Sequence, residues 1–180
     1  MDKIEKINLL RNTIKSYPDF PIPGVVFRCY SYIFNVFHNI RALRAMKDLI
    51  VEHTLFLEVD LVVGLDSRGF LLGPMICIEL GKPFVPIRKK GKLPGKVTQK
   101  DFTLEYGQET FEIQTDCIKK GSRVLIVDDL LATGGSMAAA IELIKSTGAK
   151  VIECLVVIEL NALKGREKLN VPVHSFVQYD

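Results

Sequence analysis

Apolar residues recur along this chain with two alternating periods. Ile4, Ile7, Leu10 and Ile14 follow helical spacing and predict a helix that must stop before Pro18. The PDFPIPG stretch after it reads as a rigid loop. Ile40, Leu43, Met46 and Ile50 mark a second amphipathic helix, and DLVVGLD (60–66) is a short apolar run of strand type. GFLLGPMICIELG reads as a helix, with Pro74 where only a first turn tolerates it comfortably. FVPIR (84–88) is the next strand, and FTLEYG and TFEIQTD alternate on either side of Gly107 as a half-exposed hairpin does. RVLIVDD (123–129) is a buried strand and GGSMAAAIELIKSTG a helix with Gly148 as its C-cap. KVIECLVVIEL is another buried strand, and VHSFVQY is the last. Strands alternating with helices predict an α/β fold, a doubly wound parallel sheet with helices on both faces.

Composition narrows the class. With 180 residues, 48% apolar and 25% charged, the chain reads as a single globular domain without repeats or linkers. No apolar run approaches the ~18 residues of a membrane span, and MDKIEKINLLRNTIK mixes acids and bases where a secretory leader needs an apolar stretch. Four cysteines without a CxxC and three scattered histidines signal neither a disulfide framework nor a protein-held metal, so a reducing cytoplasmic setting is expected. The net charge of +3 is too small to argue for nucleic acid, and no membrane partner is expected either. The basic residues instead gather in RKKGKLPGKVTQK (88–100), which suggests an anionic small ligand.

The most informative stretch is VLIVDDLLATGGSM (124–137), an apolar strand that ends in two carboxylates and passes through small residues into a helix. Ala132, Thr133, Gly134, Gly135 and Ser136 can aim backbone N–H groups and two hydroxyls at a phosphate, helped by the helix dipole. Asp128 and Asp129, expected at the carboxyl end of the strand, can accept hydrogen bonds from vicinal sugar hydroxyls. Neither GxxxxGK[ST] nor GxGxxG is present, which excludes a triphosphate P-loop and a dinucleotide fingerprint. A second loop, GLDSRG, leaves a strand for a helix, so Asp66, Ser67 and Arg68 can present N–H groups and a guanidinium to an anion. Arg88, Lys89, Lys90 and Lys92 follow a strand end. Among these, Arg88 and Lys92 are favoured as diphosphate contacts, with Lys89 beside them and Lys90 the bystander.

These motifs carry a resemblance. VLIVDDLLATGGSM resembles the phosphoribosyl pyrophosphate (PRPP) signature of the type I phosphoribosyltransferases. PDFPIPGVVFR, GLDSRGFLLGP, RKKGKLPG and LEYG are similar to segments of the adenine phosphoribosyltransferases, as is KGREKL at 164–169. The resemblance runs from about Ser16 to Asp180. It implies a purine-salvage reaction in which adenine and PRPP give AMP and pyrophosphate, with Mg²⁺ held mainly through PRPP, in a homodimer. It makes GLDSRG the pyrophosphate loop, with a cis peptide between Asp66 and Ser67. Val26, Phe27 and Arg28 become the adenine-reading segment, in which Phe27 can stack on a flat base. Glu105 and Tyr106 fall in a lid hairpin, the first handling a proton at the purine and the second shielding the reacting carbon, with Arg68 the third catalytic residue. The implied layout is a hood over about 1–36 and a core over about 37–180 with the lid at about 89–115. The C-terminal strand is a further candidate for the hood.

The chain departs from the family's pattern at Cys29, Tyr30, Ser31, Tyr32 and Ile33, where an acid, an aliphatic residue and a proline are usual. Two alternatives therefore stand at this point: a phosphoribosyltransferase for another purine base, and a weakly catalytic paralogue that acts as an AMP- or PRPP-binding module.

Overall fold

The computed structural model describes residues 1–15, 32–104 and 107–180. It falls into two compact units, Met1–His53 and Thr54–Asp180. The first contains α1 (Lys3–Thr13), α2 (Tyr32–His38) and nearly all of α3 (Ile40–Thr54). A capping box closes the start of α1. Asp2 accepts a hydrogen bond from the Glu5 N–H at 2.9 Å, and Glu5 accepts one from the Asp2 N–H at 2.8 Å. In α3 the buried stripe is Ala42, Ala45, Met46, Leu49 and Ile50, so it includes the expected Met46 and Ile50 but leaves Ile40 exposed. The helix uses small alanines where a reading by size looks for large residues. Lys6 on α1 is buried and ion-paired with Glu52 on α3.

The second unit is built on a seven-stranded sheet, β1 (Leu61–Leu65), β2 (Phe84–Lys89), β3 (Val97–Leu104), β4 (Gly107–Gln114), β5 (Arg123–Leu131), β6 (Lys150–Leu160) and β7 (Val173–Tyr179). Their order is β3-β4-β2-β1-β5-β6-β7. The five strands from β2 to β7 run parallel, and the β3–β4 hairpin joins β2 antiparallel. β1 is buried at all five positions, as a central strand covered on both faces must be. One face carries Leu61, Val63, Val85, Ile87, Val124 and Ile126 into a core shared with α5 (Gly135–Ser146). The alternate residues face α4 (Gly69–Leu80), where Gly64 and Gly73 make room for Phe84. A Cβ on either would come within 2.8 Å and 2.1 Å of that ring.

Three expectations are revised. β5 continues past the acid pair to Leu131, because Leu130 and Leu131 pair with Ile158 and Glu159 of β6. β3 begins at Val97, inside the basic stretch, because its backbone pairs with β4 from Gln114 onward. β7 is not part of a hood: it lies at the edge of the sheet, parallel to β6. The helix read over GFLLGPMICIELG is α4, with Pro74 inside it beyond the first turn, where it has no N–H to return to the preceding turn.

Candidate functional site

The order of the sheet sets where a ligand can bind. From β1 the chain moves outward to β2, and from β5 it moves the opposite way to β6 and β7. Neighbouring strands whose connections diverge open a crevice at their carboxyl ends. β1 and β5 are those neighbours, paired from Leu61↔Val124 to Gly64↔Val127. The GLDSRG loop leaves β1 and the LLATGGS stretch leaves β5, so the two anion-directed motifs meet at this point.

In the first loop the Asp66–Ser67 peptide bond is cis. Asp66 accepts from Arg88 Nε at 2.9 Å, and its own N–H donates to the Ile87 carbonyl at 3.0 Å. Arg68 reaches across to β5, where its Nε donates to Asp129 Oδ2 at 2.5 Å. Gly69, the first residue of α4, lies so close to the end of β5 that a Cβ there would stand 2.6 Å from the Val127 carbonyl oxygen. Glycine is required by this approach.

Asp129 is 2% exposed and Asp128 half-buried. Burial pushes the Asp128 carboxyl up, and the neighbouring Asp129 charge adds to that rise. Burial acts on Asp129 in the same direction, with the Arg68 guanidinium opposing it. Of the two acids, Asp129 is the one paired with a guanidinium, at 2.5 Å. Its second oxygen, Oδ1, is buried without a hydrogen-bond partner, an acceptor that a ligand hydroxyl can satisfy.

After Asp129 the chain turns into α5 through Gly134, at φ 81° and ψ −4°. The first helical bond runs from the Ala138 N–H to the Gly134 carbonyl at 2.9 Å, which leaves the N–H groups of Gly135, Ser136 and Met137 facing out of the first turn. No side chain caps α5, and none caps α4. The capping box of α1 shows the contrast, since there the same groups are closed off within the chain.

The basic run divides. Arg88 joins the first loop through Asp66, and its Nη1 donates to the Lys92 carbonyl at 3.2 Å. Lys89 turns away to Glu109 of the hairpin at 2.8 Å and does not reach the Asp66–Arg88 group. The turn through Lys92 is held by Glu112, a buried acid that accepts from the N–H groups of Lys92 and Leu93 at 2.7 and 2.8 Å. Burial alone would push Glu112 up, but the N–H groups of Gly91, Leu93 and Lys92 and the Gln99 amide outweigh it and hold the carboxyl below its usual value. Sequence reasoning passed over Glu112, since a charged residue in an alternating strand reads as solvent-facing. It also gave no role to Gly165, which packs against Ala132 and Gly134. The signal there was Glu159, a lone acid at the end of the apolar run LVVIEL. Val26, Phe27, Arg28, Glu105 and Tyr106 lie outside the described residues.

The chain matches a known family. Residues 35–177 fit the model of the phosphoribosyl transferase domain, and the chain belongs to that family. It is 48% identical over 179 residues to the adenine phosphoribosyltransferase of Mastomys natalensis, spanning 97% of this chain and 98% of that protein. The Drosophila pseudoobscura enzyme of the same name is 46% identical over 177 residues, with 97% and 96% covered. The crystal structure of the Saccharomyces cerevisiae adenine phosphoribosyltransferase, complexed with D-2,5-dideoxy-2,5-imino-altritol 1,6-bisphosphate and adenine, superposes with a TM-score of 0.88. It is 41% identical and covers 96% of this chain and 99% of that one. Within the family, this chain belongs with the adenine phosphoribosyltransferases.

Proposed function

We infer that this chain transfers the phosphoribosyl group of PRPP to adenine, giving AMP and pyrophosphate in purine salvage. The observation that carries the reading is the meeting of Arg68 with Asp129 across the β1–β5 crevice, between two helix N-termini that no side chain caps. Asp128 and Asp129 accept from the ribose hydroxyls, and Ala132, Thr133, Gly134, Gly135 and Ser136 take the 5′-phosphate at the start of α5. Asp66, Ser67, Arg68, Arg88 and Lys92 form the pyrophosphate side. Lys89 would have to leave Glu109 to join them.

As pyrophosphate departs, positive charge develops on the ribose ring. The carboxylates close to it and the cations close to the leaving group favour that charge distribution. Holding the anomeric carbon between the leaving group and the purine nitrogen supplies the rest. Val26, Phe27 and Arg28 read adenine, Glu105 handles the purine proton, and Tyr106 keeps water from the reacting carbon. The test for Glu105 is Glu105→Gln, expected to lower kcat by roughly 10²–10⁴-fold with PRPP affinity little changed.

The donor set fits Mg²⁺ arriving with PRPP. Asp128 and Asp129 are adjacent acids that would help hold it, together with the oxygens of PRPP. Bound there, the ion neutralises charge on the leaving diphosphate. A homodimer is supported by Leu71 and Ile78, seven residues apart on α4, which the helix exposes to 47% and 82%. The free thiols of Cys77, Cys117 and Cys154 suit a reducing cytoplasm. Burial pushes Cys77 up to about 11 and Cys154 up to about 12, which disfavours the thiolate at both.

A PRPP-dependent assay with adenine, hypoxanthine and guanine side by side tests the whole reading. Adenine is expected to lead, because acceptors placed for its amino group are left unpaired by an oxygen. Equal rates with hypoxanthine would refute the adenine assignment, and AMP binding without turnover would favour the binding-module reading.

A further inference from the structure

β6 is apolar from Leu155 to Ile158 and then carries Glu159, only 4% exposed. A buried carboxylate is tolerated when its lone pairs are occupied, and here four donors occupy them. Arg166 Nε donates to Oε1 at 2.9 Å, while Arg166 Nη2, Ser175 Oγ and Gln178 Nε2 donate to Oε2 at 2.5, 2.6 and 3.4 Å. Arg166 Nη1 also donates to the Val173 carbonyl at 2.5 Å. One guanidinium therefore ties the connection between β6 and β7 to both strands.

The residue before Arg166 is Gly165, buried against the loop that leads into α5. A Cβ on Gly165 would stand 2.1 Å from the Ala132 carbonyl oxygen and 2.9 Å from the Gly134 nitrogen. A Cβ on Gly134 would stand 2.4 Å from the Gly165 carbonyl oxygen. The turn that brings Gly165 there passes through Lys164 at φ 51° and ψ 31°, a left-handed conformation outside glycine. Two backbones thus touch without side chains between them, and the position of one sets that of the other.

We propose that Glu159, Arg166 and Gly165 form a positioning device for the 5′-phosphate loop: the Glu159–Arg166 pair anchors the connection, and Gly165 sets the height of Ala132–Gly134. This rests on reading residues 132–136 as the phosphate cradle. The device acts through backbone placement, so its effect falls on ligands that carry a 5′-phosphate. A role limited to holding β7 would alter all ligands alike.

The experiment measures AMP and adenosine affinities by calorimetry and competition for the full chain and for Gly165→Ala, Arg166→Gln and Arg166→Lys, with folding checked by circular dichroism. Thr133→Val with Ser136→Ala tests the cradle itself. Gly165→Ala and Arg166→Gln are expected to weaken AMP at least tenfold while adenosine changes less than twofold. Arg166→Lys, which keeps the charge but not the fork, should recover part of the loss. The steady-state loss should appear in KM for PRPP more than in kcat. If Gly165→Ala does not fold, the two Arg166 variants decide. Equal losses for AMP and adenosine, or no loss for AMP, overturn the device. When the cradle variant still loses AMP selectively, the phosphate reading survives that result. When it does not, the reading and the device fall together.

Discussion

The two loops that meet at the β1–β5 crevice are held by opposite means. The loop after β1 is held by charge: Asp66 with Arg88, and Arg68 with Asp129. The loop after β5 is held by shape, with Gly134 in a left-handed conformation pressed against Gly165 and no capping side chain. The difference concerns what a ligand must disturb. An anion at the first loop competes with carboxylates for guanidinium groups already engaged, so binding there is an exchange of partners. An anion at the second would meet N–H groups that no side chain caps, so no protein partner would have to leave, a low-reorganisation arrangement that favours affinity.

The comparison can be broken or sharpened by experiment. The largest effect is expected from Asp128→Asn with Asp129→Asn, which removes both carboxylate charges and replaces one acceptor oxygen of each with a donor. PRPP should bind about 2–5 kcal/mol more weakly by calorimetry, the scale for lost charged hydrogen bonds at a closed site. Unchanged affinity in a folded variant would remove the acid pair from the site.

Next is Gly134→Ala. A left-handed alanine costs about 1–2 kcal/mol before its contact with the Gly165 carbonyl is counted. Urea unfolding should show at least that loss, together with weaker AMP binding. A variant as stable as the parent would mean that shape does not hold the second loop.

Glu159→Gln should destabilise the fold by about 1–2 kcal/mol near neutral pH, with the effect reduced by the exposure of Arg166. The dependence on pH has a definite direction. Hydrogen bonds from Arg166 chiefly hold the Glu159 carboxyl below its ordinary value of 4.5, against the opposing effect of burial and with help from Ser175. The stabilisation is therefore complete above about pH 4.5 and is lost as the pH falls through the lowered value. Urea midpoints of the two proteins should converge in acid, and a gap that stayed constant would show that charge is not the source.

The smallest effects separate two adjacent cations. Arg88→Gln should weaken inhibition by pyrophosphate by about 1–1.5 kcal/mol, because it removes a charged donor from the first loop. Lys89→Gln, which breaks a surface pair with Glu109, should change it by less than about 0.5 kcal/mol. Comparable losses for the two would place Lys89 in the site despite its present partner.

The element order was legible from periodicity, and the two loops that meet at the β1–β5 crevice stood out in the sequence by their glycine, hydroxyl and acid content. Helix α2 was not: YIFNVFH is too short and too evenly apolar for a helical stripe to stand out. The strand ends were misplaced where pairing overrides local preference, as at Leu130–Leu131 and in the polar start of β3. Glu112 and Glu159 escaped notice because a carboxylate is buried only when donors from elsewhere converge on it, and those donors lie on other segments.

The sequence by itself determined which residues can bend, which can donate and which can carry charge, since these are properties of each side chain and its immediate neighbours. Gly134 and Gly165 are free to approach each other because neither has a Cβ, and VLIVDDLLATGGSM carries its own acids, hydroxyls and glycines. Only the tertiary structure decided the partners. Arg68 and Asp129 are 61 positions apart and meet because β1 and β5 lie side by side. Lys89 meets Glu109 because β4 brings that acid within reach, and Gly165 lies against Ala132 and Gly134 while its neighbour Arg166 is held by Glu159. Such pairings follow from strand order and register, which burial of the whole sheet selects and no local stretch of chain contains.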